Sequence, residues 1–185
     1  MGRVWIDFTH IDDSKIVETN LGGRIFSAHS LAEGATSQSG RAAEVDGPGW
    51  TRVISLEGGV VVDSHHVGGH LRGYLISGKV LTEKGEYSQG FFFEVSAGGT
   101  FPRVEALERC QLFLSVEGEY DGGSRTLDDP PHFAHVESSV WQAAKVKDLP
   151  GGAARKPLGD HDDFGAGILG VLPGWDSPFD EWHTF

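Results

Sequence analysis

GVVVDSHHVGGHLRGYLISG (residues 59–78) and GFFFEVSAG (residues 90–98) are the two segments that decide the fold. Glycines bracket each segment, and the residues between them include many Val, Leu, Ile and Phe. Short apolar runs separated by glycines are typical of β-strands joined by tight turns. The whole chain has this character, because 27 of its 185 residues are glycine. The sequence therefore predicts an all-β barrel or sandwich.

Seven strands are predicted from the apolar runs, at residues 24–28, 51–56, 60–63, 71–81, 90–95, 110–116 and 168–172. Residues 82–86 form a polar turn with a glycine, so residues 71–81 and 87–95 are expected to form a hairpin. Phe91, Phe92 and Phe93 place rings on both faces of one strand, which indicates a strand covered on both sides. A short helix is expected over residues 138–147.

Composition limits the class of partner. Asp and Glu number 27 against 15 Lys and Arg, so the net charge is −12 and nucleic acid would be repelled. No apolar run reaches the roughly 20 residues of a membrane helix, and the N-terminus lacks a signal core, so a soluble, cytoplasmic protein is expected.

Cys110 is the only cysteine, which excludes an internal disulfide, and its apolar neighbours predict a thiol that faces the interior.

Three histidines, His65, His66 and His70, form the densest group of candidate metal ligands. Adjacent strand residues face opposite ways, so at most one of His65 and His66 points into the protein. His70 could reach the same side if the glycines at 68 and 69 form a bulge. A second pair, His132 and His135, follows two prolines and is expected to lie in a loop, where it indicates a metal site only weakly.

The 59–78 segment resembles the first motif of the cupin superfamily, in which a glycine frame encloses a His-x-His pair and a carboxylate. Gly59 and His65 match this frame, and a later strand of the family adds one more histidine. Here Val67, Leu71 and Phe101 occupy the positions of the second histidine, the carboxylate and the late histidine. The resemblance implies a cupin-type β-barrel or jelly roll, with His65 pointing inward and His66 outward. It also implies that most of the usual metal ligands are absent.

Two segments of the chain are also similar to each other. Residues 53–59 and the following His65 are similar to residues 169–174 and the following Asp180. The Arg-Gly-Tyr-Leu-Ile-Ser-Gly run at 72–78 is similar to a run in uncharacterised bacterial bicupin-like families. This layout implies an N-terminal extension at 1–45 with strands that pack on the barrel, a core barrel at 46–121, and a C-terminal extension at 122–185 that resembles the truncated start of a second repeat. Residues 168–185 are expected to supply a strand to this barrel or to that of a partner in a homodimer.

Three functions remain open for such a barrel. The first is a small-molecule enzyme that transfers a proton without a metal, as an isomerase, cyclase or lyase. The resemblance implies His65 as its base, beside Asp63 or Glu94, with Arg72 and Tyr74 holding a negatively charged oxygen. The second is a dioxygenase whose iron, nickel or zinc ion is bound by His65, His70 and Glu94. The third is a non-catalytic binding or sensor module.

An apolar pocket for an organic substrate is expected inside the barrel. Its candidate lining residues are Trp50, Phe91, Phe93, Phe101 and Phe113. The same rings could instead fill a small barrel completely, and Arg72 and Tyr74 could be an ordinary ion-pair residue and a wall residue.

Overall fold

The computed structural model describes residues 16–33, 49–117, 130–143, 153–159 and 167–171. These residues form sixteen β-strands and no helix, so the described part contains no helix that could span a membrane. The all-β prediction is confirmed. In chain order the strands are β1 (Ile16–Leu21), β2 (Arg24–Glu33), β3 (Trp50–Leu56), β4 (Val61–Val62), β5 (His65–His66), β6 (His70–Ser77), β7 (Lys79–Thr82), β8 (Gly85–Ser88), β9 (Phe91–Val95), β10 (Thr100–Phe101), β11 (Val104–Ala106), β12 (Cys110–Glu117), β13 (His132–His135), β14 (Gln142–Ala143), β15 (Ala153–Pro157) and β16 (Gly167–Val171).

The strands form four antiparallel sheets. The largest has the order β1-β2-β3-β12-β6-β9-β13, and a second has the order β4-β11-β7-β8. Strands β5 and β10 form a two-stranded ladder, and β14, β15 and β16 form a separate three-stranded sheet. Leu71 of the largest sheet, Val80 and Val104 of the second sheet and Phe101 of the ladder belong to one buried cluster. The sheets therefore enclose a common core, as in a jelly roll, although the described strands do not close into a continuous barrel.

The seven-stranded sheet has two chemically different faces. In β6 residues 71, 73 and 75 are buried, whereas residues 70, 72 and 74 are half-buried. Leu71 and Leu75 belong to the core cluster, so we call their side of the sheet the inner face. The opposite side, which carries Arg72 and Tyr74, is the outer face. Paired residues in neighbouring strands share a face, so the register assigns every side chain of the sheet to one of the two.

Strand β9 is buried on both faces. All five of its residues are buried, as predicted from the three consecutive phenylalanines. Phe91, Phe93 and Val95 belong to the core cluster, so Phe92 and Glu94 lie on the outer face. The segment 153–159 packs near this outer face and covers part of it. Its buried Leu158 accepts a hydrogen bond of 2.9 Å from His132 Nε2 through its carbonyl oxygen.

A glycine divides the long strand predicted at 71–81. β6 ends at Ser77 and β7 begins at Lys79, because Gly78 has a φ of +87° and a Cβ there would lie 2.5 Å from Cys110 Cβ. The predicted hairpin is confirmed by the pairing of β6 with β9 and of β7 with β8. Cys110 is fully buried, as expected of an interior thiol. Burial and, to a smaller extent, the charge of Glu108 raise the pKa of this thiol to about 11.

Two local predictions are wrong. Residues 132–135 were expected to form a loop but form β13, which pairs with β9 at the edge of the largest sheet. The helix predicted at 138–147 is absent from the described residues 138–143, of which 142–143 form β14 and pair with β15. Residues 144–147 lie outside the described part of the chain. In both places pairing with a distant strand outweighs the local preference on which the prediction depended.

The described terminal strands pair within the chain. β1 and β2 form a hairpin, and β2 pairs with β3, so the N-terminal strands extend the largest sheet. β16 pairs with β15, with Ile168 opposite Lys156. The rest of the expected C-terminal strand segment, residues 172–185, lies outside the described residues. The contribution of a tail strand to the barrel or to a partner therefore stays a prediction.

Candidate functional site

The positions that match the metal-ligand positions of the motif are occupied by buried apolar side chains. Val67, Leu71 and Phe101 are 7%, 1% and 0% exposed, and all three belong to the core cluster. Phe101 is directly opposite His65 in the β5–β10 ladder. Its ring also packs against the edge of Phe93, with the ring centroids 5.5 Å apart. These positions are therefore part of the packed hydrocarbon core.

Among the motif positions 65, 67, 71 and 101, only His65 has a side chain that can bind a metal ion. Its ring stacks on Phe101 with the centroids 4.8 Å apart, and its Nδ1–H donates a hydrogen bond of 2.9 Å to the backbone oxygen of Asp63. His66 is exposed. The register predicted for this strand, with His65 inward and His66 outward, is therefore confirmed. The turn at Gly22 lies over His65, because a Cβ at Gly22 would be 3.1 Å from its Nδ1.

A second group of polar side chains meets on the outer face of the largest sheet. His70 Nε2 lies 2.7 Å from Glu94 Oε1, and Arg72 Nε–H donates to the same oxygen over 3.1 Å. Arg72 and Glu94 are direct partners across β6 and β9, and His70 precedes Arg72 by one period of the strand. The side chains of His70 and Arg72 are 16% and 15% exposed, whereas that of Glu94 is 1% exposed. We call these three residues the outer-face cluster.

Glu94 is ionised in this cluster. Burial by itself raises the pKa of Glu94, but the hydrogen bonds and positive charges of His70 and Arg72 outweigh burial and lower this pKa to about 2. A carboxylate can only accept hydrogen bonds, so the Nε2 of His70 carries the proton of their contact. The second oxygen, Oε2, is buried and has no hydrogen-bond partner among the described residues.

Two rows of side chains cross the outer face at this cluster. The polar row runs from Thr51 through Ser115, Arg72 and Glu94 to His132, each opposite the next in the register. Its hydroxyl groups interact, with Thr51 Oγ1 3.2 Å from Ser115 Oγ.

The neighbouring aromatic row runs through Phe113, Tyr74 and Phe92, which also lie opposite one another. Burial raises the pKa of Tyr74, so its hydroxyl stays protonated at neutral pH.

The predicted site residues are divided between the two faces. His65 is half-buried against the core residue Phe101, whereas Arg72, Tyr74 and Glu94 lie on the outer face, so the structure does not bring the predicted base next to its predicted partners. The predicted pocket residues are divided in the same way. Phe91, Phe93 and Phe101 are fully buried in the core, and Trp50 packs against that core. Phe113 is on the outer face.

Comparisons with known proteins identify the architecture. No protein-family model and no curated protein matches the sequence. A solved structure of a presumed dioxygenase from Nostoc punctiforme matches with a TM-score of 0.64 and 15% identity, over 89% of this chain and 60% of that chain. A presumed glyoxylate-induced protein from Pseudomonas aeruginosa matches with a TM-score of 0.54 and 11% identity, over 73% of this chain and 53% of that chain. The chain has the cupin fold. It spans less than two thirds of the length of either of these two proteins.

The cupin fold implies a metal site, and the residues of this chain do not fit one at the usual place. Val67, Leu71 and Phe101 offer no lone pairs, so His65 is the only nitrogen ligand among the motif positions. The alternative set of His65, His70 and Glu94 is not assembled, because His70 and Glu94 meet on the outer face. Within the described residues, no three His, Cys, Asp or Glu side chains are placed to hold a metal ion.

Some members of the two rows were missed by sequence reasoning. Thr51, Ser115 and His132 join the polar row only through pairing between strands that are distant in sequence. His70 was identified only as a metal ligand that a glycine bulge would bring inward. The two-residue period of β6 was the available signal, since it places His70, Arg72 and Tyr74 on one face.

Proposed function

We propose that the protein is a small-molecule enzyme of the cupin superfamily that transfers a proton without a metal ion, at the outer-face cluster. The observation that carries the proposal is that Glu94 Oε1 is shared by His70 Nε2 at 2.7 Å and by Arg72 Nε at 3.1 Å. A histidine that is oriented by a buried carboxylate beside a fixed cation is a typical arrangement for acid–base catalysis. The reaction class is that of an isomerase, cyclase or lyase.

Each member of the cluster has a distinct role in the proposal. Glu94 orients His70 and fixes its tautomer, because its carboxylate accepts the Nε2 proton. His70 then receives a substrate proton at Nδ1 and returns it at a later step. Arg72 and the hydroxyl group of Tyr74 stabilise the negative charge that develops on the substrate oxygen. Tyr74 can donate because its raised pKa keeps the phenol protonated.

The proposal replaces His65 by His70 as the base. The Nδ1–H of His65 donates to the Asp63 carbonyl, and its ring is stacked on Phe101, so the imidazole is held at the end of a packed core. The carboxylate of Glu94, which was expected beside His65, lies beside His70 instead. His65 lies in the β5–β10 ladder and His70 lies in the largest sheet, so variants of the two histidines give the experiment a matched pair.

Proton exchange in D2O tests this function directly. A panel of small oxo acids, hydroxy acids and ketones is incubated with the full-length protein, and incorporation of deuterium next to the carbonyl or carboxylate group is followed by NMR. We expect exchange that falls about 10²–10⁴-fold in His70→Gln, the range typical of losing a general base. His65→Gln and the exposed-site control His66→Gln are expected to retain it.

Two results would contradict the proposal. Exchange that depends on His65 and not on His70 would place the base in the core. Binding of a panel member without any exchange would identify a non-catalytic binding module instead. Chelator treatment of the wild-type protein completes the test, because exchange that disappears with chelator and returns with iron, nickel or zinc would establish a metal-dependent reaction.

A further inference from the structure

We infer that the ligand of the outer-face cluster is a small 2-hydroxy acid that carries an apolar or aromatic group. This inference rests on the site that the proposed function uses and adds the chemical class of the substrate. Three neighbouring features of the outer face support it, and each corresponds to one part of such a molecule. They are the polar row, the aromatic row and the second oxygen of Glu94.

The polar row suits the carboxylate of the ligand. Arg72 supplies a cation, and the hydroxyl groups of Thr51 and Ser115 lie next to it along the row. A guanidinium group often binds a carboxylate through two parallel hydrogen bonds, and each hydroxyl group can donate one more. The protein carries a net charge of −12, so a small anion needs a local cation of this kind to be held at the surface.

The aromatic row suits the apolar part of the ligand. Phe113, Tyr74 and Phe92 lie two residues along their strands from the members of the polar row, which is a separation of about 7 Å. A phenyl or branched alkyl group that is separated from a carboxylate by two carbon atoms, as in 3-phenyllactate, extends from one row to the other. A ligand with its carboxylate at Arg72 therefore places its ring over Tyr74 and Phe113, where ring contacts are favourable.

The second oxygen of Glu94 suits a hydroxyl group of the ligand. Oε2 is buried in an ionised carboxylate, and no described residue donates a hydrogen bond to it. A buried carboxylate oxygen without a donor is costly, so a ligand that brings a donor gains from this site. Arg72 is the direct strand partner of Glu94, so a ligand with its carboxylate at Arg72 has its neighbouring carbon atom close to Glu94. A 2-hydroxy acid has its hydroxyl group there.

Calorimetric titration of the full-length protein with four matched probes tests the inference. The probes are 3-phenyllactate, 3-phenylpropanoate without the hydroxyl group, 3-phenylpropane-1,2-diol without the carboxylate, and lactate without the ring. We expect 3-phenyllactate to bind, and each of the other three to bind at least about tenfold more weakly. Equal affinity for any one of them would overturn the inference, as would the absence of binding by all four.

Two variants assign the recognition to the proposed side chains. Ser115→Ala is expected to weaken 3-phenyllactate but not the diol, and Phe113→Ala is expected to reduce the advantage of 3-phenyllactate over lactate. His66→Gln is the control and should leave all four affinities unchanged. Binding without proton exchange would contradict the proposed function and leave this inference standing. Proton exchange that is confined to compounds without a carboxylate would contradict this inference and leave the proposed function standing.

Discussion

Phe101 stacks on His65 from the directly opposite position of the β5–β10 ladder, with ring centroids 4.8 Å apart. In the motif that the sequence resembles, this is the place where the late histidine would meet the first histidine. In this chain the two positions hold a pair of packed rings. The same contact joins the ladder to the core, because the Phe101 ring also touches Phe93. The pairing of β5 with β10 thus contributes to the packing of the core.

Truncation of Phe101 is expected to destabilise the protein strongly. The side chain is fully buried in the core, so Phe101→Ala leaves a cavity and should lower the free energy of unfolding by about 3–5 kcal/mol. Urea denaturation measures the change. Leu107→Ala is a suitable control, because Leu107 is 41% exposed and its truncation should cost much less. A loss in Phe101→Ala no larger than that of the control would show that the ring is not part of a packed core.

Restoration of the three missing ligands is expected to create a metal site. Val67→His, Leu71→Glu and Phe101→His would restore the ligands of the motif at three positions of the buried cluster, of which position 101 is directly opposite His65. Bound nickel or zinc should then stabilise the triple variant, which is measured as a rise in melting temperature when the metal is added. The wild-type protein is expected to show no such rise and no change with chelator. A wild-type protein purified with one equivalent of transition metal would contradict this prediction.

Local sequence patterns predicted some parts of the site and could not predict others. The glycine frame and the apolar runs predicted most of the central strands. The turn predicted at 82–86 indicated that β6 pairs with β9, and this pairing places Arg72 opposite Glu94. The motif selected His65 as the base, whereas the strand period places His70 on the face of Arg72. Ser115 could not be assigned to this face, because its position depends on the register between β12 and β6. Register is a tertiary property that local periodicity does not contain.

The ionisation of Glu94 is expected to make stability depend on acid pH. Its pKa is about 2 in the folded protein and has a reference value of 4.5, so the folded state binds this proton less readily than the unfolded state does. The stabilisation is complete above pH 4.5 and is lost as the pH falls towards 2. Its size is about 3 kcal/mol. Urea denaturation between pH 6 and pH 2 measures it.

Glu94→Gln provides the comparison for this pH dependence. Glutamine keeps the shape of the side chain but does not titrate, so the variant should be less stable than wild type near neutral pH. The difference should shrink as the pH falls through the interval from 4.5 to 2. A constant difference across that interval would show that the carboxylate of Glu94 is not held in its charged form by His70 and Arg72.

Gly73 is expected to tolerate no side chain, because the ring of Phe93 lies directly over it on the inner face. A Cβ at Gly73 would be 2.1 Å from Phe93 Cζ, which is far inside van der Waals contact. Gly73→Ala should therefore destabilise the protein by about 1–3 kcal/mol or more, through overpacking of the core. Gly68→Ala is the matched control, since a Cβ at Gly68 meets nothing within 4 Å. Replacing Phe93 by Leu in the Gly73→Ala background should recover part of the loss by removing ring atoms from the clash. Urea denaturation of the four proteins decides the question, and equal stability of the two glycine variants would mean that the Phe93 ring does not occupy the space over Gly73.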